Sequence, residues 1–490
     1  MELKKILAGL EGLKAKGNLD IDINGIESNS KNVSKNYLFI AIKGFVVDGH
    51  KYIQNAIDAG ASAILIEEGS DLSGIKIPEE LTIIVHKNTR EALAIAASNF
   101  FDNPSRKFKL IGVTGTKGKT TTTFMIKEIL EKAGHKVGLV GTIATYINGV
   151  KYADSDRTTP ESLELQGIFA KMVEAGCQYV VMEVSSQSLK LHRVDGCNFD
   201  VALFTNFSED HISEKEHPDM QDYFESKLKL FEKCKIGIIN ADDLYAIKIP
   251  KRFPDNKFTT YGIDNGCEVL AKDITITNSY VDYRVKITDK NERIKAGIPG
   301  RFSVYNSLAA ICVAKRYGVS PEVIKTALED VRVPGRSELV NNKKELPIMI
   351  DYAHSPESLE NILQAVKSYT RGKVISVFGC GGDRDKGKRP IMGEISGRIA
   401  DYTIITSDNP RTEDPKVIVS EIEDGIKKTK ASYEIIVDRT EAITAAIKMA
   451  TKRDIIVLAG KGHEPYQEIN GVKYPYDERI IVNDIINNIK

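Results

Sequence analysis

Cysteine is sparse in this chain of 490 residues, and its spacing argues against two classes of site. The six cysteines stand far apart, at positions 177, 197, 234, 267, 312 and 380, and no Cys-x-x-Cys pair occurs. Zinc sites and disulfide scaffolds both need cysteines in closely spaced or paired patterns. The sequence therefore predicts neither a structural zinc site nor a secreted disulfide scaffold.

Long apolar runs and an excess of one charge are also missing. No run of 18 apolar residues could span a membrane, and Glu11 and Lys14 interrupt the apolar stretch near the N-terminus. Lysine plus arginine and aspartate plus glutamate number 68 each, so the formal net charge is zero. This balance indicates neither a nucleic-acid surface nor a charged tail. We expect a cytoplasmic protein without a nucleic-acid partner, and we further expect a monomer.

Alternating strand and helix patterns predict an α/β fold. The length corresponds to roughly three domains of ~150 residues. Strands and helices alternate after the first hundred residues and again in the last third, as is typical of parallel sheets. Two segments have the composition of linkers, 103–107 and 333–336. We predict an N-terminal α/β domain, a central P-loop domain with a parallel sheet and a C-terminal Rossmann-like domain, over residues 1–105, 106–333 and 334–490.

The most informative motif is a glycine-rich loop. Residues 112–123 read Gly-Val-Thr-Gly-Thr-Lys-Gly-Lys-Thr-Thr-Thr-Thr, between an apolar stretch and a helical pattern. Such a loop points backbone N–H groups and a helix N-terminus at phosphate. Lys119 would reach the β- and γ-phosphates, and Thr120 would bind Mg²⁺. Because Val113 replaces the first glycine of the strict pattern, an ordinary glycine-rich turn is the alternative. The predicted contacts to ATP or GTP are Gly115, Thr116, Lys117, Gly118, Lys119, Thr120 and Thr121.

Two strand ends of the central block carry residues that could hold a metal ion. Glu183 ends one predicted strand and His211 follows another, at the sheet edge where ligands bind in open α/β sheets. Taken alone, each is at least as well explained as a surface carboxylate or a hydrogen-bonded loop residue. Nucleoside triphosphates arrive with Mg²⁺, so the nearby phosphate loop favours a metal site. We predict that Thr120, Glu183 and His211 bind Mg²⁺.

Three polar clusters follow predicted strands in the C-terminal block, at residues 379–390, 407–411 and 460–464. Arg411, in the sequence Asp-Asn-Pro-Arg, suits two-point recognition of a carboxylate. Solvated turns are the alternative, but ordinary turns do not need arginine, histidine and glutamate at each strand end. The three clusters therefore predict a binding crevice at one edge of a sheet.

Together these motifs resemble those of the Mur ligases, the ATP-dependent amino-acid-adding enzymes of peptidoglycan synthesis. The resemblance covers the whole chain, including Ser30-Lys31 and the segment from Gly44 to His50. It is nearest to members that add meso-2,6-diaminopimelate to UDP-N-acetylmuramoyl-L-alanyl-D-glutamate through an acyl phosphate. The resemblance implies a uridine-binding N-terminal domain, with ATP, Mg²⁺, the UDP-muramoyl-dipeptide and diaminopimelate as ligands.

The resemblance also implies contacts for single residues. Those to the UDP-muramoyl-dipeptide are Ser30, Phe45, Val46, Val47, Thr158, Thr159, Ser185 and Arg193. Those to ATP include Asn306, Asp351 and His354 in addition to the phosphate loop. Those to diaminopimelate are Arg389, Asp408, Asn409, Pro410, Arg411, Gly460 and Glu464. Lys227 matches a lysine that is carbamylated in the family and ligates the metal, and the implied catalytic set is Lys119, Glu183, His211 and Lys227.

Several alternatives stay open at this point. An L-lysine-adding member of the same family would share most of these residues. Folylpolyglutamate synthetase has a similar phosphate loop but lacks the N-terminal uridine domain. A regulatory GTPase would usually carry an Asn-Lys-x-Asp motif, and none occurs here. A non-enzymatic nucleotide-binding module is the last alternative.

Overall fold

The computed structural model describes residues 1–210, 212–213 and 216–489. The chain divides into two compact units, the first formed by residues 1–269 and 309–319 and the second by residues 270–308 and 320–490. Both units combine β-sheets with helices, so the predicted α/β class is confirmed. The predicted domain limits at residues 105 and 333 stay a prediction. Among the described residues, none of the helices has the length and apolar character needed to cross a bilayer.

The first unit contains two sheets and their flanking helices. Its strands are β1 (Lys14–Lys16), β2 (Gly25–Glu27), β3 (Tyr37–Ile40), β4 (Ala61–Glu67), β5 (Thr82–His86), β6 (Lys109–Thr114), β7 (Val137–Val140), β8 (Ala144–Ile147), β9 (Val150–Asp154), β10 (Tyr179–Glu183), β11 (Val201–Phe204), β12 (Ile236–Asn240), β13 (Lys257–Gly262) and β14 (Val269–Leu270). Its helices are α1 (Leu3–Ile6), α2 (Ile53–Asp58), α3 (Thr89–Phe100), α4 (Lys119–Lys132), α5 (Ser162–Glu174), α6 (Ser186–Lys190), α7 (Met220–Glu232) and α8 (Ile249–Arg252).

The smaller sheet has the strand order β1-β5-β4-β3-β2, and only β1 runs antiparallel to its neighbour. Successive residues of its central strands point to opposite faces. Leu38 and Leu65 enter one apolar core, whereas Phe39 and Ile64 enter another. Both faces are therefore covered, which explains why these strands read as continuous apolar runs in the sequence.

The larger sheet has the order β14-β13-β12-β11-β6-β10-β7-β8-β9 and is parallel from β13 to β7. After the central strand β6, the strands β7 to β10 lie on one side of β6. The next strand, β11, lies on its other side. Strand order thus reverses at β6, and ligands of open α/β sheets bind at such a reversal, outside the carboxyl ends of the strands. The glycine-rich loop follows β6 at this point.

The second unit contains the remaining sheets. Its strands are β15 (Lys272–Ile276), β16 (Val281–Lys286), β17 (Asn291–Ala296), β18 (Glu338–Leu339), β19 (Ile348–Asp351), β20 (Val374–Phe378), β21 (Tyr402–Ile405), β22 (Tyr433–Ile435), β23 (Ile455–Ala459), β24 (Tyr466–Ile469) and β25 (Val472–Pro475). Its helices are α10 (Pro321–Asp330), α11 (Pro356–Tyr369), α12 (Lys388–Ile399), α13 (Pro415–Ile426), α14 (Arg439–Met449) and α15 (Glu478–Asn488), while α9 (Arg301–Arg316) begins in this unit and ends in the first.

The main sheet of the second unit has the order β18-β19-β23-β20-β21-β22 and is parallel except for β18. An apolar core lies on each face of it. The three polar clusters of the sequence follow β20, β21 and β23, so their strands end at the same edge of this sheet. This arrangement is the one that the sequence predicted for a crevice.

Helices α12 and α13 pack against each other through glycines. A Cβ atom on Gly393 would lie 2.1 Å from the Ile422 carbonyl oxygen, and one on Gly425 would lie 1.7 Å from the Pro390 carbonyl oxygen. These separations are far below van der Waals contact, so the two helices approach this closely only because both positions lack a side chain. The contact fixes the loop between β21 and α13, which contains Arg411.

We predict that Gly425→Ala destabilises the second unit by roughly 1 to 3 kcal/mol, because the added methyl group must push α12 away from α13. Thermal unfolding of wild type and variant measures the effect. Ser420→Ala, at an exposed position of the same helix, is the control and should melt at the wild-type temperature. A Gly425→Ala protein that melts like wild type would contradict the close packing.

Candidate active site

The glycine-rich loop has the backbone shape of a phosphate-binding turn. Gly115 has φ +139° and Gly118, which caps the N-terminus of α4, has φ +85°. A Cβ on Gly115 would lie 2.0 Å from Thr205 Oγ1, so only glycine fits between β6 and the end of β11. The loop therefore leads directly into the N-terminus of a 14-residue helix, where unpaired N–H groups favour an anion.

Asn206, which follows β11, holds this loop in place. Its side chain accepts a hydrogen bond from the Lys117 N–H (2.9 Å) and donates one to the Lys117 carbonyl oxygen (3.0 Å). Its own carbonyl oxygen accepts from the Thr116 N–H (2.9 Å). The sequence analysis did not single out Asn206, although its place directly after a strand of the same sheet was a usable signal.

Two lysines meet at one carbonyl oxygen of the loop. Lys119 Nζ and Lys227 Nζ both donate to Gly115 O, at 3.0 and 2.9 Å, and Lys119 Nζ also donates to Thr116 O. Lys227 lies on α7 with its side chain fully buried. Burial, and secondarily the nearby Lys119 charge, hold the pKa of Lys227 well below its usual value. The structure thus places beside the loop an amine that loses its proton more readily than an exposed lysine does.

A buried carboxylate lies on the other side of the loop. Glu183, at the end of β10, accepts hydrogen bonds from Thr120 Oγ1 (2.9 Å), Thr142 N (2.8 Å) and Thr142 Oγ1 (3.0 Å). A Cβ on Gly141 would lie 2.4 Å from Glu183 Oε1, so the glycine admits the carboxylate. The carboxylate and hydroxyl oxygens of Glu183 and Thr120 are the hard ligands that Mg²⁺ prefers, and they fit this ion. His211, the third predicted ligand, lies outside the described residues.

Four residues assigned to the muramoyl-dipeptide by resemblance come together beside Glu183. Thr159 Oγ1 donates to Glu183 O (2.9 Å) and accepts from Ser185 N (3.1 Å). Arg193 Nη1 donates to Thr159 O (3.1 Å), and Thr158 Oγ1 lies 3.1 Å from Thr142 Oγ1. Tertiary structure therefore joins segments that are about 25 to 35 residues apart in the chain.

The residues assigned to uridine lie in the smaller sheet's loops. Ser30 begins a short 3₁₀ turn and is half-buried. Phe45 and Val46 stand at the tip of a turn closed by the Gly44 N–H to Val47 O hydrogen bond (3.0 Å), and 73% and 96% of their surfaces are exposed. Exposed apolar side chains at a loop tip are available to pack on a ligand.

The remaining residues assigned to ATP lie in the second unit. Asp351, at the end of β19, accepts hydrogen bonds from the Ser337 N–H (2.7 Å) and hydroxyl (3.3 Å), and burial raises its pKa. His354 is exposed, with Nδ1 2.8 Å from Tyr352 O. Asn306 is buried on α9. Asp351 and His354 thus share one loop.

Residues assigned to diaminopimelate by resemblance converge at the carboxyl edge of the second unit's sheet. Asn409 Nδ2 donates to Glu464 Oε2 (2.8 Å), while Asn409 Oδ1 accepts from the fully buried Lys461 Nζ (2.9 Å). Asp408 is 8% exposed, and its Oδ2 atom has no hydrogen-bond partner within the described part of the chain. A Cβ on Gly460 would lie 2.6 Å from this oxygen. A buried carboxylate oxygen without a donor is suited to a cationic amine.

Arg411 lies at the tip of the loop after β21, with φ +51°. Its Nη1 donates to Gly382 O (2.7 Å), and its Nε contacts Glu468 Oε2 (3.2 Å). Nη2 makes no hydrogen bond to the residues that the structure describes. Arg411 therefore bridges two loops and retains the Nη1–Nη2 edge of its guanidinium for a carboxylate.

Arg389 has a different environment from the one that the resemblance implies. It is fully buried on α12, and its guanidinium is bound by Glu413 and Glu421. This pairing lowers the pKa of Glu413 to about 2. In this arrangement Arg389 holds the loop between β21 and α13, and its contact with diaminopimelate stays a prediction. Arg384, which the sequence analysis passed over, is exposed and lies beside Gly381, next to Arg411.

A shallow cleft of about 690 Å³ lies along the same loop. Pro410 and Arg411 line it, together with Gln467 and Asn470, but Gly460 and Glu464 do not. The cleft is thus on the outer side of the loop. The convergent polar groups therefore lie outside this cleft.

Comparison with known proteins identifies relatives along the whole chain. The Mur ligase family catalytic domain matches residues 22–101, the Mur ligase middle domain matches residues 113–314, and the Mur ligase glutamate ligase domain matches residues 335–462. A UDP-N-acetylmuramoyl-L-alanyl-D-glutamate–2,6-diaminopimelate ligase from Caldanaerobacter subterraneus subsp. tengcongensis is 48% identical over 99% of both chains.

Solved structures with a similar fold include the same kind of ligase. The structure of a UDP-N-acetylmuramoyl-L-alanyl-D-glutamate–2,6-diaminopimelate ligase covers 99% of both chains, with a TM-score of 0.73 and 28% identity. A MurF ligase from Thermotoga maritima in complex with ADP has a TM-score of 0.62 and 20% identity, and covers 94% of this chain and 96% of its own. The second similarity concerns the fold alone.

We predict that Asn206→Ala weakens ADP binding about tenfold, because the Lys117 N–H loses its acceptor and the Lys117 carbonyl oxygen keeps only the Thr205 hydroxyl of its two side-chain donors in the described part of the chain. Isothermal titration calorimetry measures the Kd. Asn256→Ala is the control, since it removes side-chain hydrogen bonds to Phe231 O and Cys234 Sγ elsewhere in the same unit. Equal Kd values for wild type and Asn206→Ala would refute the role given to Asn206.

Proposed function

The chain belongs to the Mur ligase family, and we propose that it adds meso-2,6-diaminopimelate to UDP-N-acetylmuramoyl-L-alanyl-D-glutamate while converting ATP to ADP and phosphate. The observation that carries this proposal is the 48% identity over 99% of both chains to a ligase of that name. The match of residues 22–101 to the family's N-terminal region argues against a folylpolyglutamate synthetase. The monomeric state and the cytoplasmic location stay predictions.

The proposed reaction has two steps. The γ-carboxylate of the D-glutamyl residue attacks the γ-phosphorus of ATP, which gives an acyl phosphate and ADP. The amine of diaminopimelate then attacks the acyl carbon, and phosphate leaves with the former carboxylate oxygen. Lys119 would exchange its bonds to Gly115 O and Thr116 O for phosphate oxygens, where charge builds up. Thr120 and Glu183 would hold Mg²⁺, which supplies further charge neutralisation when bound.

Lys227 would act as a carbamate. A neutral lysine amine combines with CO₂ to form a C–N bond and releases one proton, which converts a cation into an anionic oxygen ligand. The lowered pKa of Lys227 supplies the neutral amine that this addition needs. Carbamate formation would also remove the repulsion between Lys227 and Lys119 at Gly115 O. The buried position beside the phosphate loop is consistent with this role.

Amino-acid selection would depend on Arg411. Diaminopimelate carries a carboxylate beside its distal amine, whereas lysine carries only the ammonium group. The Nη1–Nη2 edge of Arg411 would pair with that carboxylate, and the exposed Arg384 would add a second cation. With lysine bound, Arg411 would gain no second carboxylate and would face a like charge. The orphan Oδ2 atom of Asp408 would receive an ammonium group of the ligand.

We predict that wild-type enzyme releases phosphate from ATP only when both the UDP-muramoyl-dipeptide and an amino acid are present, with kcat/KM at least a hundredfold higher for diaminopimelate than for lysine. Arg411→Ala should reduce this ratio strongly, whereas Arg398→Ala, at an exposed arginine of the same unit, should leave it unchanged. Coupled phosphate-release kinetics measure both. Equal or better use of lysine by wild type would overturn the assignment.

We predict that Lys227→Ala lowers kcat on the order of 10²-fold or more and that small carboxylates such as acetate restore part of the activity, because they replace the carbamate oxygens. Lys229→Ala, on the same helix, is the control and should retain activity. Activity of Lys227→Ala close to wild type, or an unmodified amine in a nucleotide-bound crystal of active enzyme, would show that no carbamate is needed.

A further inference from the structure

A buried ion pair lies beneath the amino-acid pocket and is used by none of the roles given above. Arg439, the first residue of α14, and Glu478, the first residue of α15, are 0% and 1% exposed at their side chains. Arg439 Nε donates to Glu478 Oε1 at 2.7 Å. The pair thus joins the N-terminal ends of two helices at the carboxyl edge of the sheet.

The other nitrogens of Arg439 reach two strand ends. Nη1 donates to Ser407 O (3.3 Å) and Nη2 donates to Ala459 O (3.0 Å). Ser407 immediately precedes Asp408, and Ala459 immediately precedes Gly460. These two segments follow β21 and β23, which are separated in the sheet by β20. One guanidinium therefore sets the distance between the two segments that form the pocket.

Helix stability alone does not account for this arginine. A cation in the first turn of a helix is opposed by the helix dipole, so its position in α14 is electrostatically unfavourable for the helix. A buried ion pair is commonly replaceable by apolar residues without loss of stability. What apolar residues cannot supply is a rigid planar fork that donates to three acceptors in fixed directions. The pair is thus better suited to positioning than to stabilising.

We propose that Arg439, held by Glu478, is a positioning residue for the amino-acid pocket and that it determines the affinity for the incoming amino acid. It acts through the carbonyl groups of Ser407 and Ala459 and touches no substrate. The distance between Asp408 and Gly460 depends on Arg439. These two residues are so close that a Cβ added to Gly460 would lie 2.6 Å from Asp408 Oδ2. This inference rests on the proposed function, which assigns these segments to diaminopimelate.

The test is a steady-state comparison of wild type, Arg439→Lys and Glu478→Gln, with the KM measured separately for diaminopimelate, ATP and the UDP-muramoyl-dipeptide. Lysine keeps the charge but cannot span two carbonyl groups and a carboxylate. We expect Arg439→Lys to raise the KM for diaminopimelate at least tenfold, with the other two KM values within twofold of wild type. Glu478→Gln keeps an acceptor for Nε, and it should raise the same KM by a smaller factor of two to five.

Asp454→Asn is the matched control. Asp454 is 8% exposed and lies just before β23, at the amino end of the same sheet's strands. Its carboxylate accepts hydrogen bonds from the Lys373 N–H (2.6 Å) and the Thr451 N–H (2.8 Å). It should lower the melting temperature and leave all three KM values within twofold of wild type. A control of this kind separates lost stability from lost positioning.

Two results would overturn the proposal. One is a diaminopimelate KM within twofold of wild type in folded Arg439→Lys or, if that variant does not fold, in Glu478→Gln. The other is an equal rise of all three KM values, which a purely structural role predicts. Failure of the proposed function itself would be seen in the wild-type assay, where diaminopimelate would support no phosphate release. The KM comparison would then use the amino acid that does support release.

Discussion

Everything at the two candidate sites depends on one constraint of parallel sheets: the strands end together, so their loops crowd at a single edge and expose backbone groups that need partners. Side chains from neighbouring loops supply these partners. Asn206 pairs with both backbone groups of Lys117 in the first unit, and Arg439 pairs with the carbonyl oxygens of Ser407 and Ala459 in the second. Backbone groups that need hydrogen-bond partners thus occur at the glycine-rich loop of one unit and at the proposed amino-acid pocket of the other.

Three buried ionisable side chains at the two candidate sites differ in their hydrogen-bond partners. Glu183 is buried, and its carboxylate accepts hydrogen bonds from two threonine hydroxyl groups and one backbone N–H. Lys227 donates to a carbonyl oxygen within the described part of the chain, and burial lowers its pKa. Glu464 is held by Asn409 and Lys461, but burial still raises its pKa. Each group is therefore prepared for a ligand whose charge complements it.

Much of the fold could be predicted from the sequence because buried parallel strands read as continuous apolar runs. The strands Ile348–Asp351, Val374–Phe378 and Ile455–Ala459 are such runs. The phosphate loop was equally readable, since all its parts lie within a dozen residues.

The sequence by itself determined the fold class, the phosphate loop and the polar clusters after the strands, because each is written in contiguous residues. Only the tertiary structure decided which arginine of the charged run is buried and paired: Arg389 is bound by Glu413 and Glu421, whereas Arg384 is exposed. The tertiary structure also decided which residue accepts from the Lys117 N–H, 89 residues away in the chain. It likewise decided the hydrogen-bond partners of Arg439, which lie 20 to 39 residues away. The physical reason is that burial and hydrogen-bond geometry depend on packing between strands that are distant in the sequence. Local residue patterns do not specify that packing.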